Sequence, residues 1–245
     1  MGATKPASDW EADALTQLLT DAVADAYQNP SEGEADEVGH PSLSRLAEEF
    51  RITPLKARKL LVTAGVYETE KSRTVNALHQ SGKTVPEIQA LTGLSQPSVS
   101  GYLPYTRQPC RMTEAVLQSP GLERYRARLA AETRLRQALA QGEEQAVRAA
   151  LWDALVQFAG YPLRTAKGLR FSYTVKGGEL FFTRKEKSVT SATVYIALDN
   201  ALALQRQGLP VTGPKKLNCF GASYLYPVLI RVGVIQEGER RQPVP

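Results

Sequence analysis

The side chains that could break or make bonds are few. Among 245 residues there are two histidines, His40 and His79, and two cysteines, Cys110 and Cys219, 109 positions apart. That spacing supports neither a disulfide framework nor a paired zinc knuckle, and both thiols read as buried or idle. Two histidines are too few for a histidine-based metal site and leave little scope for general acid–base work. Glu179-Leu180-Phe181 has Phe where an E-x-K metal-nuclease strand needs Lys. Tyr224 and Tyr226 beside Ser223 read as amphipathic packing residues, and neither a Walker phosphate loop nor an HExxH helix occurs. The expectation is no enzyme, no metal and no cofactor.

What remains is hydrogen bonding and charge. The chain carries 30 Lys and Arg against 25 Asp and Glu, a net of +5. Taken by segment, residues 1–41 hold −8, 42–111 hold +5, 112–155 are neutral and 156–245 hold +8, so the body beyond residue 41 is +13. A basic body of this size suits a polyanion, most often nucleic acid, although solubility alone also explains modest charge. No apolar run approaches the roughly 18 residues of a membrane span, and the N-terminal stretch lacks a basic region followed by an apolar one, so a cytoplasmic protein without membrane contact is expected.

The polar groups best arranged to recognise something lie in Thr84–Leu103, TVPEIQALTGLSQPSVSGYL. Val85, Ile88 and Leu91 share one helical face. Gly93 suits a tight turn at positive φ, and Leu94 plugs the crossing. Ser95 can cap a second helix with Pro97 in its first turn, while Val99 and Leu103 return to the core. Gln96, Ser98, Ser100 and Gly101 are left outward, where hydroxyls and amides can contact phosphates and Gln96 can reach a base edge.

This stretch resembles the helix-turn-helix of bacterial resolvases and of sigma-factor region 4 through Glu87, Ile88, Thr92, Gly93, Leu94, Ser95, Val99, Ser100, Tyr102 and Leu103. It covers about 20 residues, or about 35 if the preceding helix Arg73–Ser81 opens a three-helix unit. Gly101 departs from the pattern, where relatives often carry Arg or Lys, which implies weaker base readout. The resemblance implies the DNA-binding half of a resolvase only.

A second copy reads at Leu43–Leu61, LSRLAEEFRITPLKARKLL, beginning 42 residues before Val85. Leu46, Ala47 and Phe50 form its inner face, Ile52 the plug, Thr53 the cap and Pro54 the first helical residue, with Ala57 and Leu60 returning inward. Arg51 stands where the other copy has glycine, a strained choice for a left-handed turn. Lys56, Arg58 and Lys59 form an outward basic face suited to phosphate or guanine contact, the other reading being a solvated face on a packing unit.

Four segments follow. Residues 1–41 read as an acidic amphipathic helix (9–27, with Asp9 as cap) and a flexible linker, and 42–111 as a tandem helix-turn-helix domain. Residues 112–160 read as a helical connector or dimerisation hairpin broken at Gly142, and 161–245 as a small basic α+β domain. In the last, Leu169–Lys185 alternates around Gly177-Gly178 as a hairpin, with Lys176 opposite Glu179, Val175 opposite Leu180 and Tyr173 opposite Phe182. Ser188 is expected to cap the next helix, with Val194, Ala197, Leu198, Ala201 and Leu204 inward and Gly208 as its stop; a last short helix runs from about Tyr224 to Arg231. Its cations cluster at Arg164, Lys167, Arg170 and Lys176, at Arg184, Lys185 and Lys187, and at Lys215 and Lys216, either a second phosphate surface or a solvated face.

The fold expected is therefore mainly α with a small α+β C-terminal part. The function expected is sequence-specific binding of double-stranded DNA by a bacterial transcriptional regulator acting as a homodimer, with RNA polymerase or a recombinase as a possible protein partner. The alternative is an accessory factor of a mobile element or plasmid in recombination, replication or partition. The residues expected at the DNA are Lys56, Arg58, Lys59, Ser95, Gln96, Ser98, Ser100, Tyr102, Arg107, Lys185, Lys187, Lys215 and Lys216.

Overall fold

A computed structural model of the chain describes residues 7–31, 39–105, 112–184, 186 and 188–236, with the side chains of 7–12 left aside. The architecture is mainly helical, with a small antiparallel sheet region near the C-terminus. No helix is long and apolar enough to cross a membrane among the described residues. Packing divides the chain into two units, 1–125 and 126–245.

The first unit is built from short helices because its apolar residues recur at helical spacing and its turns carry strong caps. The helices are α1 (Ala7–Gln28), α2 (Leu43–Glu49), α3 (Pro54–Thr63), α4 (Glu70–Gln80), α5 (Val85–Thr92), α6 (Gln96–Tyr102), the brief α7 (Glu114–Leu117) and the start of α8 (Pro120–Gln141). α1 to α3 form one cluster around Leu19, Val23, Leu46, Phe50, Leu60 and Leu61. α4 to α6 form another around Val75, Ile88, Val99 and Leu103. Val116 and Leu122 join the first cluster, and Gly121 lets α8 lie against Phe50, whose ring a methyl group at 121 would meet at 2.7 Å.

The acidic N-terminal helix is therefore part of a core. Leu19, Ala22, Val23 and Tyr27 are buried. Burying side chains of this size contributes roughly 1.5–3 kcal/mol each for the larger ones. After residues 32–38, His40 stacks on Tyr27 with ring centroids 4.2 Å apart, and its Nδ1 lies 3.0 Å from the Tyr27 carbonyl oxygen.

In the second unit, the rest of α8 packs on α9 (Glu144–Gln157), with Gly142 in a left-handed turn between them. Two antiparallel sheets follow. β1 (Leu163–Arg164) pairs with β2 (Arg170–Phe171), and β3 (Tyr173–Lys176), β4 (Glu179–Phe182) and β5 (Val189–Thr190) form the second in that order. Tyr173 pairs with Phe182, Val175 with Leu180 and Lys176 with Glu179, the register that the Gly177-Gly178 turn dictates. The alternating stretch before that turn is two strands: β2 and β3 flank Ser172, and β2 takes β1 as its partner.

α10 (Ser191–Arg206) buries Val194, Ala197, Leu198 and Ala201. Its cap is Thr190, whose hydroxyl accepts from the Thr193 amide, and not Ser188. Ser188 instead donates to the Glu179 carboxylate at 2.7 Å, because Val189 and Thr190 first extend as β5. A short 3-10 turn at Pro214–Leu217 leads to α11 (Ala222–Arg231), whose N-cap is Gly221. Tyr173, fully buried, donates its hydroxyl to the Leu155 carbonyl at 2.9 Å, and burial pushes its ionisation far above the ordinary phenol range.

Candidate nucleic-acid interface

The local chemistry of α5 and α6 follows from four residues. Glu87 accepts hydrogen bonds from the Thr84 amide at 2.7 Å and the Thr84 hydroxyl at 2.8 Å, closing the first turn of α5. Those bonds, with Lys83 at 3.5 Å, hold the Glu87 carboxyl below its usual range. Gly93 ends α5 at φ 69°, in the left-handed region that glycine enters without penalty. Ser95 then opens α6, its hydroxyl 3.0 Å from that of Ser98.

Ser95, Gln96 and Pro97 are exposed, and Ser98 is half-buried. The first turn of α6 thus presents hydroxyls, a carboxamide and uncapped backbone amides to solvent. On the opposite face Val99 and Leu103 pack on Val75 and Ile88. Leu91, expected on the inner face of α5, is 63% exposed, because the crossing with α6 is filled by Ile88 and Leu94 instead.

The Leu43–Leu61 segment reproduces the same path 42 residues earlier. Ser42 accepts from the Arg45 amide at 3.2 Å, and Thr53 accepts from the Lys56 amide at 3.2 Å. Arg51, which aligns with Gly93, has φ 50°. The left-handed turn is therefore kept even where the residue is not glycine. Leu46, Ala47, Phe50, Ala57 and Leu60 are buried, as their spacing demands.

The basic face of α3, expected outward, is partly covered. α3 packs directly against α6, and Lys56, Arg58 and Lys59 are all half-buried along this seam. Lys59 donates to the Ser100 carbonyl at 2.5 Å and lies 5.1 Å from the Tyr105 ring centroid. Burial holds its ammonium below the ordinary lysine range. The Arg58 guanidinium carbon lies 4.4 Å from the Tyr102 ring centroid. Gly101, expected outward, is buried here: a methyl group at 101 would overlap Arg58 Nη2 and sit 3.3 Å from Leu55. Periodicity placed these residues on the polar sides of α3 and α6, but it gives no sign that two polar sides meet. The absent side chain at 101 was the one available hint.

Lys215 and Lys216 are exposed on the 3-10 turn Pro214–Leu217 of the second unit. Arg107, Lys185 and Lys187 lie outside the described residues, as does Cys110. Cys219 is half-buried. Among the described residues no group of three or more His, Cys, Asp or Glu side chains is placed to hold a metal ion.

The cation cluster of the second unit includes a cross-strand pair that the sequence alone does not show. Arg164 and Arg170 are directly opposite each other across β1 and β2, both exposed, with Lys167 in the connecting turn. Only the register of a strand as short as Leu163–Arg164 reveals the pairing.

Comparison of the chain with protein-family models, with curated proteins and with solved structures found no match in any of the three.

Proposed function

We propose that the chain binds double-stranded DNA, with α5 and α6 working as a helix-turn-helix, and that it acts as a transcriptional regulator. The observation that carries this reading is the first turn of α6. It begins after a left-handed Gly93, is anchored from behind by Val99 and Leu103, and exposes Ser95, Gln96 and Pro97. A helix N-terminus of this kind offers amides and hydroxyls to phosphates, and a Gln side chain can make two hydrogen bonds, to N6 and N7, on the major-groove edge of adenine. α2 and α3 repeat the arrangement and serve as the first of two tandem units. The exposed Lys215 and Lys216, together with Lys185 and Lys187, add sequence-independent affinity from the second unit.

The test is selection of bound duplexes from a randomised pool by the full-length protein, followed by mobility shifts on the recovered site. A recovered consensus is expected, and Gln96→Ala should relax the preference at one base pair by about 1–3 kcal/mol. Recovery of no preferred duplex, with equal binding to any DNA, would defeat the proposal.

A further inference from the structure

α6 carries no charged side chain: Gln96, Pro97, Ser98, Val99, Ser100, Gly101 and Tyr102 are all neutral. A helix that docks on DNA without a cation lacks the electrostatic contact that supplies most non-specific affinity. The cations stand next to it on α3. Arg58 fills the volume beside Gly101 and stacks on Tyr102. Its Nε is buried with no hydrogen-bond acceptor among the described residues. No carboxylate pairs with Lys56, Arg58 or Lys59 among the described residues, although Lys83 pairs with Glu87 and Arg124 with Glu49. A groove of about 380 Å³ follows the seam, lined by residues that include Thr53, Lys56, Lys59, Pro97, Ser100 and Gly101.

Burial desolvates the Lys59 ammonium, and a buried guanidinium N–H without an acceptor is costly. An anion at the seam offsets the desolvation of the cations beside it. A guanidinium stacked on an aromatic ring keeps its outer N–H groups in a fixed plane suited to two phosphate oxygens. Lys59 is already committed to the Ser100 carbonyl, near the C-terminal end of α6, where a cation also complements the helix dipole.

We propose that α3 and α6 form one composite DNA-contacting surface. Arg58, with Lys56, is the backbone-phosphate ligand that α6 lacks, and Lys59 is a positioning residue that fixes α6 against α3. The first tandem unit thus serves the second as a source of charge and does not read a separate major groove. The inference rests on α5 and α6 docking on duplex DNA.

The test uses the full chain and a duplex recovered by selection, with affinity measured by fluorescence anisotropy across a salt series. Arg58→Gln should weaken binding about tenfold and lower the salt slope by about one, with the sequence preference unchanged. Gln96→Ala should change the preference and leave the slope alone. Because Arg58→Gln could also loosen the seam, a relocation variant is measured beside it: Arg58→Ala combined with Gly101→Arg returns a guanidinium to the same volume from α6. Recovery of the slope by the double variant is the expected result. Wild-type affinity and slope in Arg58→Gln, or a slope that the folded double variant fails to recover, would overturn the composite surface. Absence of duplex binding by the unaltered protein would instead remove the reading beneath it.

Discussion

Lys59 Nζ donates to the backbone carbonyl of Ser100 at 2.5 Å, joining α3 to α6 across 41 residues of sequence. Lys59→Met keeps most of the aliphatic stem and deletes the donor. The loss of a charge-assisted bond to a half-buried carbonyl should lower stability by about 1–3 kcal/mol. Urea denaturation followed by circular dichroism measures it. Unchanged stability would mean that water replaces the bond without loss.

The strained turn at Arg51 gives a prediction of opposite sign. Its φ of 50° costs a residue with a Cβ roughly 1–2 kcal/mol, and glycine adopts the same conformation freely. Arg51→Gly should therefore stabilise the protein by about 1 kcal/mol despite the greater entropy of the unfolded chain. The reverse change at the aligned position, Gly93→Ala, has open space around the new methyl group but should destabilise by about as much, through backbone strain alone. Thermal denaturation of the two variants checks both signs.

Glu87 makes the cap of α5 sensitive to acid. Its carboxyl is lowered by the Thr84 amide and hydroxyl first and by Lys83 after them. A carboxyl depressed on folding contributes stability that is present above its unfolded value, near 4.5, and is lost as pH falls through the lower folded value. Glu87→Gln should flatten the fall in stability over that acidic window. A carbon-detected NMR titration should place the Glu87 midpoint below that of an unstructured glutamate, and a midpoint at the ordinary value would remove the effect.

Arg164 opposite Arg170 is a like-charge cross-strand pair, which destabilises a sheet by roughly 0.2–1 kcal/mol. Arg170→Glu converts it to an attractive pair and should raise the melting temperature in low salt. The gain should shrink in high salt, where exposed charges are screened. A melting temperature independent of the substitution at low salt would show that the two guanidinium groups splay apart.

The parts of the fold that were legible are those written in local pattern. The hairpin register around Gly177-Gly178 follows from alternation and a turn with two positive φ values, and the structure pairs Tyr173 with Phe182 as that pattern requires. The break at Gly142 was equally local, whereas α1 spans Ala7–Gln28, so that Asp9, expected as its cap, lies within the helix. Ser188 misled because a Ser before a helical stripe looks like a cap, whereas two intervening residues first pair with β4. The seam between α3 and α6 was not legible, because amphipathic spacing separates a polar side from an apolar one without showing what the polar side touches. Arg58 and Lys59 therefore read as an outward face suited to phosphate or guanine contact, and Gly101 as a missing contact instead of a place made for Arg58.

The burial of α1 also fixes where its acids can be. Leu19, Val23 and Tyr27 lock the helix to the cluster that holds α3, so Asp13, Asp21 and Asp25 keep constant positions relative to the basic seam. An acidic arm on a loose tether would fold back over the cations and average the field away. A rigid one gives the first unit a permanent electric dipole, and an approaching polyanion exerts a torque on it before any contact forms. If the chain binds duplex DNA as proposed, orientation then precedes collision, and the association rate should depend on ionic strength more steeply than a net charge of +5 alone would give.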